Sequence, residues 1–192
     1  SSSLKPHIVK ALLIADSNLL NIERVFNQFH TYRDQLMPYL HEKLMSLNML
    51  RRDEIWTIGV NKLLDNYRLS YILNSVVLES ELDYKTYIWV LTWMMSTSHP
   101  NIRGRLMRII RVLLSDHTNF CLTFIDLFHS VNDPYILYGL YGAIYGVLLI
   151  NRDRNLSDSI AEKIFTYHYK DQVNVPSEVS VRSWTLKILE FA

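Results

Sequence analysis

PYILYGLYGAIYGVLLIN, residues Pro134–Asn151, contains no ionisable group other than tyrosine. At about 100° per residue it resolves into three stripes on a helical wheel. Leu137, Leu140, Ala143, Ile144, Val147 and Leu148 form an aliphatic face; Tyr138, Tyr141 and Tyr145 a phenolic one; Gly139, Gly142 and Gly146 a bare one. A helix that is apolar all round is either central in a protein or inside a membrane. Tyrosines in its middle and amphipathic neighbours argue against lipid. Each glycine costs about 1 kcal/mol of helix propensity relative to Ala, which a closely approaching neighbour helix would explain. The stretch is therefore expected to be the central helix of an all-α protein.

Working outward, proline opens three apolar runs, at Pro100, Pro134 and Pro176, where its missing N–H costs nothing. Asp133 is placed to cap the Pro134 helix, and Ser98, Ser157 and Ser177 are candidates for the same role elsewhere. Stacking HPNIRGRLMRIIRVLL from His99, DPYILYGLYGAIYGVLL from Asp133 and VPSEVSVRSWTLKIL from Val175 puts Ile102, Ile136 and Val181 at one position. Their intervals, 34 and 45 residues, bracket the period of HEAT and armadillo units. The expectation is a right-handed α-solenoid of HEAT-like helix pairs; a compact bundle would give similar faces. Further segments read as helical are His7 to Ala15, Leu19 to Phe29, Asp34 to Leu50, Asp53 to Asn66, Tyr84 to Met95, Asn119 to Ser130 and Ser157 to Tyr169. Leu69 to Leu78 is read as helical too, although the β-branched YILNSVVL would also suit a buried strand.

Composition agrees. The chain of 192 residues has five Gly and five Pro, too few turn residues for a β-sandwich or barrel. Twenty basic residues against 19 acidic give a formal charge of +1, which removes any molecule-wide attraction to nucleic acid or acidic membrane. A single cysteine, Cys121, rules out an internal disulfide and favours the cytosol; in FCLTFIDLF it reads as a core residue rather than a nucleophile. Short loops suggest one helical-repeat domain over 1–192, and an end inside a helical pattern suggests a fragment of a larger multidomain protein. There is no phosphate loop, GxGxxG, HExxH, GxSxG or CxxC, and no two histidines share the spacing of a helical metal site, so neither catalysis nor a cofactor is expected.

Arg103, Arg105, Arg108 and Arg111 fall within a run free of acids. Arg105, Arg108 and Arg111 share one flank, a solvated basic face or, less readily, a polyanion contact; Ile102, Leu106, Ile109, Ile110 and Leu113 form the apolar stripe. Arg103 falls on the apolar side and must be paired there, and Arg182 repeats the problem at the matching position. Both are expected to make inter-repeat ion pairs or to cap carbonyls, with Asp133 or Asp116 as candidate partner for Arg103. The aromatic residues, twelve Tyr and four Trp, are read as packing helix on helix in the main.

RRDEIWT (Arg51 to Thr57), WVLTWMMSTSHPNIRGRLMRIIRVLL (Trp89 to Leu114) and FIDLFHSVNDPYILYGLYGAIYGVLL (Phe124 to Leu149) together resemble the helical-repeat region C-terminal to the ATPase of bacterial antiviral STAND proteins. The likeness covers roughly residues 20 to 150. It is carried by Arg52, Asp53 and Trp56, by Trp93, Ser96 and Thr97 leading to Arg103, and by Asp133, Pro134, Tyr135 and Gly146. Where the pattern has Arg-Asp, this chain has Arg103 followed by Gly104. The resemblance implies a non-enzymatic module that senses a phage structural or packaging protein and relays this to an ATPase outside these residues. A generic scaffold for host proteins or peptides is the alternative, separated from the first by whether a GK[ST] loop lies upstream. Nucleic-acid binding through the arginine flank ranks below both.

Trp56, Trp93, Arg103, Asp133, Gly142 and Gly146 are thus the residues on which the fold should rest. Gly142→Leu is expected to unfold or loosen the protein in thermal denaturation; unaltered stability would refute close packing at that glycine.

Overall fold

Side-chain oxygens of Asn21, Asn48, Asp133 and Asp153 accept backbone N–H bonds and set where four helices begin. The computed structural model describes residues 17–65, 76–171 and 174–192, and every regular element among them is helical, as expected of an all-α chain. His7 to Ala15 and most of Leu69 to Leu78 lie outside the described residues; Val76 to Leu78 are neither helix nor strand. The chain forms two compact units, Ser1–Thr86 and Tyr87–Ala192.

In the first unit a 3-10 turn (Ser17–Leu20) leads into α1 (Ile22–Asn27) and α2 (Phe29–Thr31), which passes through a π turn (Tyr32–Leu36) into α3 (Met37–Ser46). After the Asn48 cap come α4 (Met49–Arg52), a second π turn (Asp53–Thr57) and α5 (Ile58–Asp65). The expected Asp34 to Leu50 helix is therefore divided at Asn48, whose side chain accepts from Arg51 N at 2.9 Å. Both π turns close with i→i−5 bonds, Met37 N to Tyr32 O and Ile58 N to Asp53 O.

Their cause is legible in burial. Tyr32, Leu36, Leu40 and Leu44 are buried, as are Arg52, Trp56, Val60 and Leu64 at the same four-residue spacing. In a regular α-helix that spacing drifts about 40° per step, and a wider turn restores the register. The first residue of each set reaches back along the chain. Tyr32 Oη donates to Leu19 O at 2.9 Å; Arg52, fully buried, donates from Nε to Leu44 O at 3.1 Å and from Nη2 to Leu47 O at 2.9 Å. At Ser80 the chain makes a reciprocal capping box with Asp83: Ser80 N donates to Asp83 Oδ2 and Asp83 N to Ser80 Oγ. Burial pushes the Asp83 carboxyl up, but the bonds from Ser80, the Arg33 guanidinium at 2.9 Å and the Glu79 amide outweigh it and hold the group at about 2.

This box opens α6 (Glu81–Met94), which runs on into the second unit. There follow α7 (Pro100–Asp116), α8 (Phe120–Phe128), α9 (Pro134–Asn151), α10 (Arg154–His168) and α11 (Val179–Phe191). α9 packs between α7 and α11, α8 packs on α10, and α10 packs on α11. Pro100 and Pro134 open their helices as expected, whereas α11 begins only at Val179, beyond Pro176 and Ser177. Ser157 lies inside α10, which Asp153 caps, and donates to the Asp153 carbonyl instead. The cap residue of α7 is His99 rather than Ser98, and His99 makes no side-chain cap bond.

Arg52→Met keeps the buried stem and removes two charge-assisted bonds to carbonyls that close α3. Hydrogen bonds to charged groups contribute about 1.5–3 kcal/mol each, so urea denaturation should show a loss of about 3–6 kcal/mol. A loss below about 0.5 kcal/mol would mean that Arg52 only fills space.

Candidate functional site

The three glycines of α9 face three different neighbours. A Cβ at Gly139 would stand 2.8 Å from Met95 Sδ; at Gly142, 2.7 Å from Met107 Sδ and 3.2 Å from the Trp184 ring; at Gly146, 2.5 Å from Arg111 Cδ. Side chains from both flanking helices thus lie directly on bare backbone, as the glycine stripe led one to expect. By contrast a Cβ at Gly104 would meet nothing within 4 Å. α9 is long and apolar enough to cross a membrane by length and composition, yet half of that window is buried inside the protein.

Trp56 and Trp93 are fully buried, and Trp93 lies 5.2 Å from the Phe128 ring. Asp133 caps α9, with Oδ1 accepting from Tyr135 N at 3.0 Å and Ile136 N at 3.4 Å. Arg103 takes the carbonyl-capping alternative: Nη1 donates to Thr97 O at 2.7 Å while the guanidinium lies 4.1 Å from the Tyr135 ring centre. Arg182 repeats the bond at the same interval, donating from Nη1 to Pro176 O at 3.2 Å. Each arginine therefore clips the start of its helix to the carbonyl six residues back.

The basic flank needs correcting. Arg105 and Arg108 are exposed, but Arg111 is not on a solvated flank with them. The buried stripe of α7 is Leu106, Ile110 and Leu114, rotated from the expected one, and this turns the Arg111 stem onto Gly146. Its Nε is buried with no hydrogen-bond partner among the described residues. The sequence could not show this, because only the absence of a side chain on α9 lets the stem approach.

Packing also assembles a polar cluster that no local spacing announces. Asp126 accepts from Lys163 Nζ and, at 2.7 Å, from Tyr167 Oη; the Tyr167 ring stacks on His129 at 3.8 Å and 10°. A cavity of about 350 Å³ beside it is lined in part by His129, Ser130, Tyr167, His168 and Asn174. His168 Nε2 lies 2.6 Å from Tyr141 Oη and Nδ1 lies 3.4 Å from the Asn174 carbonyl. Since a carbonyl only accepts, this assigns the proton to Nδ1 and makes Tyr141 the donor to Nε2. Partners more than 25 residues apart in sequence meet here, so helical spacing could not reveal them.

Electrostatically these groups are occupied with one another. The bond to Asp126, then burial, holds the Tyr167 phenol above its ordinary value. Burial pushes Asp126 up, but Lys163 and Tyr167 more than offset it. Burial raises Tyr141 and pushes the Cys121 thiol up to about 12, which keeps both protonated. Among the described residues no three His, Cys, Asp or Glu side chains converge as a metal site would require. The donors and acceptors of these groups are thus spent on one another.

No family model, curated protein or solved structure matches the chain.

His168 has a testable signature. Burial, the largest cause, lowers its folded pKa below 6.5, with His129 adding to the shift and the Asn174 carbonyl opposing it. The unfolded chain then binds more protons below pH 6.5, so this contribution is complete above that value and is lost as pH falls through the folded pKa. Guanidinium unfolding at pH 7.5 and 5.0 should show a steeper loss for the parent protein than for His168→Gln, which does not titrate. Parallel losses would remove His168 from the account.

Proposed function

We propose that the second unit is a short right-handed solenoid of HEAT-like helix pairs that recognises a protein partner and performs no reaction of its own. The pairs would be α6–α7, α8–α9 and α10–α11. The supporting observation is the recurrence of one device at one repeat position: Arg103 on α7 and Arg182 on α11 each cap the carbonyl six residues back, on helices that flank α9 from either side. The two copies stand 79 residues apart, about twice a helix-pair period, with Leu137 at the matching position between them, and a local geometry that returns at that interval favours an array over an unrelated bundle. Stacked second helices present a continuous surface, which is how such arrays grip folded partners.

The engagement of Asp126, Lys163, Tyr167, His129, His168 and Tyr141 with one another supports a binding rather than a catalytic reading. The resemblance to STAND repeats would make the partner a phage structural or packaging protein, met in the cytoplasm, with the relaying ATPase outside these residues. Calorimetric titration against purified phage capsid, portal and packaging-motor proteins tests this. Saturable binding of one of them is the expected result; no binding to any would overturn the phage reading in favour of a scaffold for host proteins.

A further inference from the structure

The solvent side of the α7–α9–α11 layer combines features that sequence spacing kept apart. From α9 come Tyr138 and Tyr145, both half-buried. From α11 comes Trp184, whose ring centre lies 6.1 Å from that of Tyr138 and 5.6 Å from that of Tyr145 and whose edge covers Gly142. Lys187 Nζ stands 4.5 Å from the Trp184 ring centre. From α7 comes Arg111, seated on Gly146, one turn along from Gly142. Two cations and three aromatic rings are therefore carried on adjoining helices along two turns of glycine-containing α9.

Among the described residues no ion pair on these helices answers the charge. α9 has no carboxylate; α7 has only Asp116, at its far end. Glu190 of α11 lies three residues beyond Lys187 and so neighbours it on the helix surface, on the side away from Trp184, but no ion pair joins the two among the described residues. The Arg111 guanidinium has no hydrogen-bond or ion-pair partner among the described residues, and its Nε is already shielded from water. A partly desolvated cation without an acceptor is costly, and an anion supplied from outside would relieve it.

We propose that Arg111, Tyr145, Trp184 and Lys187 form the docking site for an acidic segment of a protein partner. This inference rests on the protein-recognition reading and names the chemistry of its partner. Carboxylates pair with Arg111 and Lys187, and an apolar side chain between them lies on Trp184 and Tyr145, where aromatic surface adds area at small entropic cost. Charge complementarity selects the occupant. Nucleic acid fits less well: Lys187 already occupies a face of Trp184 that a base would need for stacking, and the chain as a whole carries only +1.

The experiment is fluorescence anisotropy with the full chain and two labelled probes, an octaglutamate peptide interrupted by one central Leu and a twelve-residue oligo(dT). Saturable binding of the peptide that weakens between 50 and 200 mM salt is expected, with at least fivefold weaker binding for Arg111→Met and for Lys187→Glu. Arg111→Met keeps the stem on Gly146, and Arg154→Glu, at an exposed site on α10, should bind as the parent does. Absence of peptide binding, equal binding by the parent and both variants, or tighter binding of oligo(dT) would each overturn the proposal. If a phage protein binds the chain and neither variant alters that affinity, the acidic-segment inference falls while protein recognition stands; if none binds but the peptide does, the phage reading falls while the acidic-segment inference stands.

Discussion

Close approach of side chains to the bare backbone of α9 is the constraint on which the second unit depends. Gly139, Gly142 and Gly146 forgo helix propensity, and in return the ends of Met95 and Met107, the Trp184 ring and the Arg111 stem come to rest where side chains would otherwise project. Met107 and Arg111 fix the position of α7, and Trp184 that of α11, so one stripe on one helix locates both its neighbours. The remaining faces follow: Ile136, Leu140, Ile144, Val147 and Leu148 are left to the core, and Tyr138 and Tyr145 to the edge against Trp184.

Buried or half-buried arginines form a second theme. Arg52, Arg103 and Arg182 all donate to backbone carbonyls upstream of themselves. Carbonyls at the ends of helices and in turns have no intrahelical partner, and a guanidinium on a long stem can reach them without disturbing the backbone. Arg111 differs. Its stem is held by packing on Gly146, while its head finds no acceptor among the described residues.

Much of the helical content was legible, because apolar spacing and proline placement act locally. Asp133 was recognisable as a cap and Cys121 as a core residue for the same reason. The demand that Arg103 and Arg182 be satisfied was also readable from their shared position on the apolar side, though not which carbonyl would answer. The π turns were not legible: a reading at fixed 100° steps takes the four-residue spacing of Arg52, Trp56 and Val60 as tolerable drift, while the backbone corrects it by inserting a residue. The orientation of Arg111 depended on a glycine 35 positions away, and the His168–Tyr141 and Asp126–Tyr167 pairs on tertiary packing. Such contacts leave no trace in local periodicity.

The central claim concerns distances between glycine α-protons and particular side chains, and nuclear Overhauser spectroscopy on protein with labelled Met methyl groups and Trp rings reads them directly. Strong cross-peaks are predicted from Gly139 Hα to the Met95 methyl and from Gly142 Hα to both the Met107 methyl and the Trp184 indole. Absence of these cross-peaks in a folded, well-dispersed spectrum would show that α9 does not carry its neighbours on bare backbone, and would contradict the account.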